Sequence, residues 1–158
     1  MIKHIKCNIF ESGADFILHQ VNCQGVMGSG VAKQVKDKFP KVYDEYKKWC
    51  NTIPLDVLLG QVQFVNTQED YDTSFKGIIN LFAQNNFGYD GNRYTNYDAL
   101  RNCLEFIEET ITWHATIAIP YLMSCYRGGG DWNVVYKMID EIFDGSNIDV
   151  LICEYDGG

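Results

Sequence analysis

Apolar and polar positions along this chain switch repeatedly between a period of two and a period near 3.6. Ile2 to Cys7 and Phe16 to Cys23 read as strands. Gly30 to Phe39 reads as a helix, with Val31, Val35 and Phe39 at spacings of four, and Pro40 opens a second helix. Along that second helix Tyr43, Tyr46 and Trp49 fall at helical spacing, which predicts a core-facing aromatic stripe. Gln61 to Asn66 and Lys76 to Ala83 are the next strands, with turns at Gly60 and at Asp70 to Thr73. The asparagine- and glycine-rich stretch 85–93 predicts a loop. Thr95 is then expected to cap a long helix reaching about Thr112, with Asp98 as the partner acid of a capping box. Ala115 to Ile119, Trp132 to Phe143 and Asp149 to Tyr155 complete the pattern as strand, helix and strand. This alternation predicts an α/β fold: a mixed, mostly parallel six-stranded sheet with helices on both faces, as one domain over residues 1–158.

Glycines interrupt the pattern where chemistry is expected. VNCQGVMGSGVAKQVKDKFP, Val21 to Pro40, runs from a buried strand through a turn holding Gly25, Gly28 and Gly30 into a helix. Glycine lets backbone approach a ligand closely, and the unpaired N–H groups of a helix start face an anion with the helix dipole behind them. A second segment of this kind, SCYRGGGDW from Ser124 to Trp132, also lies between a strand and a helix. Ligands of such sheets bind at the carboxyl ends of strands, so two glycine loops there suggest one diphosphate held from two sides.

Charge and cysteine usage narrow the classes. Thirteen basic against twenty-one acidic residues give a net charge of −8, which argues against unspecific binding to nucleic acid or an anionic membrane. A bound phosphate is therefore expected to be held mainly by backbone amides. No apolar run approaches the roughly 20 residues needed to cross a bilayer, and MIKHIKC lacks the apolar region of a signal peptide, so a cytoplasmic location is expected. Six cysteines without a CxxC pair read as free thiols, and no metal or cofactor is expected. Cys125 stands apart because it lies in a glycine loop.

VNCQGVMGSGVA, IINLFAQ, RYTNYDAL and the triple glycine followed by DW together resemble the macrodomain, an ADP-ribose-binding module of about this size, over nearly the whole chain and in the right order. The resemblance implies a three-layer α/β/α fold and ADP-ribose, or a derivative of it, as the partner. It puts Asn8, with Ile9 beside it, where macrodomains commonly have an acidic residue for the adenine amino group. The first loop then supplies Asn22, Gly25, Val26, Met27, Gly28, Ser29, Gly30 and Val31, with Gly25 standing where a second asparagine is often found. The second supplies Ser124, Cys125, Tyr126, Arg127, Gly128, Gly129 and Gly130, and Tyr155 falls at an aromatic position beside the adenosine. Each assignment has a plainer counterpart: Asn22 as a loop organiser, Gly28 and Gly30 as turn residues, Arg127 as a solvated charge, His19 as a core histidine and Tyr155 as a packing residue.

Related enzymes that remove ADP-ribose from acidic side chains or DNA bases use a lysine at the end of the strand matching IINLFAQ, where this chain has Gln84 as a ligand-side residue. An amide cannot form a Schiff base. The aspartate those enzymes place in the second loop falls near Gly128. What the resemblance then implies is hydrolysis of ADP-ribose 1''-phosphate, with Asn22 orienting the terminal phosphate and Asp131 or His19 supplying acid/base help. The alternatives are a non-catalytic ADP-ribose reader and an ADP-ribosyl hydrolase. Asp131 also fits a simple helix cap.

Overall fold

The structure is a computed structural model and describes residues 1–88, 90–125 and 128–155. Its elements follow in the order β1 (Ile2–Lys6), β2 (Phe16–Asn22), α1 (Gly30–Lys38), α2 (Pro40–Thr52), α3 (Leu55–Leu58), β3 (Val62–Asn66), β4 (Gly77–Gln84), α4 (Tyr97–Thr110), β5 (Ala115–Pro120), α5 (Trp132–Phe143) and β6 (Ile148–Glu154). The strands form one sheet in the order β1-β6-β5-β2-β4-β3, parallel throughout except for the antiparallel edge strand β3. This is the mixed, mostly parallel arrangement that the alternation predicts.

Two apolar layers sandwich the sheet, and β4 shows how its sequence serves both. All eight residues of GIINLFAQ are buried. Ile79, Leu81 and Ala83 join Leu100, Leu104 and Ile107 of α4 and Ile139 and Phe143 of α5, whereas Ile78 and Phe82 face Val35 of α1 and Val42 and Tyr46 of α2. A strand buried on both faces has no solvent side, so it reads as a continuous apolar run. Tyr46 is fully buried, while Tyr43 and Trp49 are half-buried against the same layer. Among the described residues no helix is long and apolar enough to cross a membrane.

The expected cap of the long helix is corrected by one residue. Asn96, not Thr95, caps α4, its Oδ1 accepting from the Ala99 amide at 3.0 Å. The Thr95 hydroxyl instead donates to the Ser124 carbonyl at 2.8 Å, a contact 29 residues away that no local pattern announces. Asp98 lies in the first turn as an acidic residue and is not the partner of a Thr95 box. The short helix α3 and a single 3-10 turn at Ile9–Glu11 had no counterpart in the sequence reading, because elements of four and three residues are too short to show a period.

Candidate functional site

At the carboxyl ends of β2, β4 and β5 the connections to α1, α4 and α5 surround an open cleft of about 260 Å³. Gly28, Ser29, Gly30, Val31 and Ala32 line it from the first loop and the start of α1, and Tyr121, Leu122, Met123, Ser124 and Gly128 line it from the second loop. Gln20, Asn22 and Gln84 project from the strand ends between them, and Phe87 and Val26 stand exposed at the rim.

The first loop is shaped from inside. Asn22 Oδ1 accepts from the Gln24 amide at 2.9 Å and from the Tyr46 hydroxyl at 2.7 Å, and Asn22 Nδ2 donates to the Val26 carbonyl at 2.7 Å. Its amide therefore organises the loop backbone. Gly25 adopts φ +79°, which favours glycine, and its carbonyl accepts from the Tyr43 hydroxyl at 3.1 Å. Ser29 precedes α1 without making a side-chain cap. The first-turn amides of α1 therefore have no partner in the cap, and the residues carrying them line the cleft.

The second loop is tied down by a network that the sequence reading did not foresee, centred on Gln20. Its Nε2 donates to Gln84 Oε1 at 2.7 Å and to the Thr95 hydroxyl at 2.8 Å, and its Oε1 accepts from the Ser124 hydroxyl. Gln84 Nε2 donates in turn to the Asn86 carbonyl at 2.8 Å. Both ends of the Gln84 amide are thus committed to structure. Ser124 sits at φ +74° and Leu122 at φ +62°, left-handed conformations for non-glycine residues that the surrounding bonds hold in place. The one available sequence signal was a glutamine inside an apolar strand, since a buried amide needs partners.

Of the three glycines in the second loop, Gly128 is buried and lines the cleft, and its carbonyl accepts from the Tyr94 and Thr95 amides at 2.8 and 2.9 Å. Gly129 and Gly130 are not part of the cleft lining. An added Cβ on Gly129 would stand 2.5 Å from the Asn92 carbonyl oxygen and 2.8 Å from Arg93 Cα, and the Gly130 amide donates to the Ser124 carbonyl at 2.8 Å. The triple glycine therefore serves close backbone packing as well as the cleft.

Several expected site residues lie outside the lining. Asp131 caps α5, its Oδ1 accepting from the Asn133 amide at 2.9 Å, and its own backbone N–H is occupied in donating to the Tyr97 hydroxyl. Asn8 caps the 3-10 turn, Ile9 and Met27 are buried in the α1–α2 layer, and the Gly25 α-carbon faces Lys47 and Cys50 of α2. Tyr155 follows β6 and is 66% exposed. Burial pushes the Cys125 thiol up to about 11, and its Sγ donates to the Met123 carbonyl, so it is held as a neutral thiol. Tyr126 and Arg127 lie outside the described residues.

His19 does line the cleft, at its floor, with 2% of its surface exposed. Burial lowers its pKa to about 4, outweighing the hydrogen bond to Asn80, so the ring is neutral at pH 7. Among the described residues lining the cleft there is no carboxylate, ammonium or guanidinium.

The chain belongs to the macro domain family, whose model matches residues 18–139. It is 28% identical over 166 residues to an uncharacterised 17.5 kDa protein of Enterobacteria phage T4, covering 99% of this chain and 97% of that protein. A DNA ADP-ribosyl glycohydrolase of Mycobacterium tuberculosis is 29% identical over 159 residues; the match covers this whole chain but 43% of that protein. An ADP-ribose 1''-phosphate phosphatase of Neosartorya fischeri is 31% identical over 62 residues, 39% of this chain and 31% of that one. The same fold is found in the macrodomain of Mycobacterium tuberculosis DarG, with a TM-score of 0.79, 23% identity and 99% of both chains covered. It recurs in Thermosipho africanus DarTG in complex with ADP-ribose, with a TM-score of 0.78, 20% identity, and 97% of this chain and 41% of that one covered.

Proposed function

We propose that this protein binds ADP-ribose in the cleft as a recognition module. The diphosphate lies between the uncapped start of α1 and Gly128. The observation that carries this reading is the meeting of those two backbone surfaces in a cleft whose described lining holds no charged side chain. Such a site stabilises an anion through amide dipoles, which suits a chain of net charge −8. Family membership and the ADP-ribose complex of a protein with the same fold support the choice of ligand. Calorimetry with ADP-ribose, ATP and NAD tests it: ADP-ribose is expected to bind tightest, and equal or absent heats for all three would overturn the reading.

Removal of ADP-ribose from an aspartyl or glutamyl ester or from a thymine base is expected to be negligible. Gln84 supplies no amine, and its amide is held at both ends by Gln20 and Asn86. A nucleic acid would then enter only as the carrier of an ADP-ribosyl group, because the acidic chain disfavours the backbone contacts that drive unspecific binding.

Hydrolysis of ADP-ribose 1''-phosphate is the second reading, favoured by the partial similarity to a phosphatase of that name. Such a reaction needs a positioned water and a stabilised phosphoryl group rather than an amine. Asp131 is engaged as a helix cap, which leaves His19 and the Tyr121 phenol as the titratable groups in the described lining. Phosphate release from ADP-ribose 1''-phosphate, followed at high protein concentration, decides between the two. Turnover favours the phosphatase; its absence with retained binding favours the recognition module.

A further inference from the structure

Three polar side chains on neighbouring strands line up across the sheet beneath α1 and α2. His19 on β2 stands opposite Asn80 on β4, and Asn80 stands opposite Gln63 on β3. All three are buried, with 2%, 0% and 3% of their surfaces exposed. The chain of bonds has a fixed direction, because it ends on a group that only accepts. Gln63 Nε2 donates to the Glu45 carbonyl of α2 at 3.0 Å. Gln63 must therefore turn its Oε1 toward Asn80, whose Nδ2 donates to it at 2.9 Å. Asn80 in turn presents Oδ1 to His19 Nε2 at 2.5 Å, and that contact is a hydrogen bond only if Nε2 carries the proton.

One consequence concerns the other ring nitrogen. With the proton on Nε2, Nδ1 is a bare lone pair, and it is the one buried side-chain nitrogen or oxygen among the described residues that has no hydrogen-bond partner. A buried acceptor left unpaired is costly and calls for an explanation in a site that takes a ligand. His19 also lines the cleft.

We infer that Asn80 and Gln63 hold His19 in one tautomer so that Nδ1 forms a subsite for a hydroxyl donor, and that a ribose hydroxyl of the ligand fills it. The inference rests on the ADP-ribose reading. The diphosphate oxygens have no proton to give and their charge would repel the lone pair, whereas each ribose directly adjoins the diphosphate and carries hydroxyls. The adenine amino group is a donor as well, but it lies at the far end of the molecule from the diphosphate. Burial keeps the ring neutral, so at physiological pH the subsite selects a donor and disfavours an acceptor. In this role His19 touches the ligand, and Asn80 and Gln63 are positioning residues.

The test has two arms. Nitrogen-15 NMR of histidine-labelled protein reads the tautomer without a ligand: Nε2 is expected to be protonated and Nδ1 bare, and saturating ADP-ribose is expected to move the Nδ1 resonance toward hydrogen-bonded values. A protonated Nδ1, or no movement on saturation, would overturn the inference. The second arm measures affinities of ADP-ribose analogues that each lack one ribose hydroxyl, in the wild type and in His19→Leu, which offers the ligand no acceptor. Loss of one particular hydroxyl is expected to weaken wild-type binding by about 3- to 10-fold and to have no effect in the variant. Identical penalties in a folded variant would sink the subsite, and a variant that fails to fold leaves the wild-type NMR to decide. Failure of the ADP-ribose reading is distinct: no binding of ADP-ribose to the wild type, whatever the tautomer in the free protein.

Discussion

The hydroxyl of Tyr46 donates to the side-chain oxygen of Asn22 across 2.7 Å, joining the buried face of α2 to the loop that opens the cleft. The same hydroxyl reaches the Asn22 carbonyl at 2.9 Å. Burial raises the Tyr46 pKa well above the ordinary phenol range, so it remains a donor throughout the working pH range. A core residue 24 positions away thereby sets the shape of the ligand-side backbone.

Tyr46→Phe keeps the ring stacked on Phe82 and removes only the hydroxyl. The expected cost is about 1–2 kcal/mol in stability, together with weaker ADP-ribose binding as Asn22 loses its anchor. Urea melts and calorimetry measure both. Unchanged affinity would mean that the first loop holds its shape without this contact.

Acid should weaken the fold through His19. Its pKa is about 4 in the folded protein and about 6.5 in the unfolded chain, so between these values the unfolded chain takes up a proton that the folded protein refuses. Stability is therefore lost as the pH falls from about 6.5 to about 4, by about 3 kcal/mol from this group alone. The difference between wild type and His19→Gln isolates it from the surface carboxylates. Parallel pH–stability curves for the two proteins would show that His19 is not the group responsible.

Gly129→Ala should destabilise more than Gly13→Ala. Both glycines have positive φ, +69° and +81°, so both substitutions carry backbone strain of about 1 kcal/mol. Only at Gly129 does the new methyl meet backbone, at Asn92 and Arg93; at Gly13 nothing lies within 4 Å. Thermal melts of the two variants compare them directly, and equal losses would refute the close approach.

Replacing Gln84 by leucine should cost about 1–3 kcal/mol, since it removes the acceptor for Gln20 Nε2 and the donor to the Asn86 carbonyl. The damage is expected to be local, with faster amide exchange in residues 85–96 and in the second loop. Exchange confined to β3 would point to a different cause.

Asn96→Ala and Thr95→Ala separate cap from network. The first should lower stability by about 1 kcal/mol through loss of the α4 cap. The second should loosen the Ser124 turn and leave the first turn of α4 intact, because its hydroxyl bonds the second loop. Hydrogen exchange at the start of α4 is the deciding measurement.

The amino-acid sequence by itself determined the order and type of the major elements. Period two against 3.6, the Pro40 start of α2 and the glycines beside strand ends are local signals, written within a few residues of what they control. That is why β4, α1 and α5 were legible almost to their last residue, and why the cleft could be expected where the two loops meet. Tertiary structure decided what those loops are made of. Gln20, Gln84, Thr95 and Ser124 meet only when β2, β4 and the turn after β5 come together, and His19 finds Asn80 61 residues away because β2 and β4 pair in one register. Hydrogen bonds of that range depend on strand register and helix docking, which are properties of the whole fold. Period and composition carry no record of them, so in the sequence Gln20 and Gln63 look like ordinary polar interruptions of apolar strands, and only the assembled fold gives each its partners.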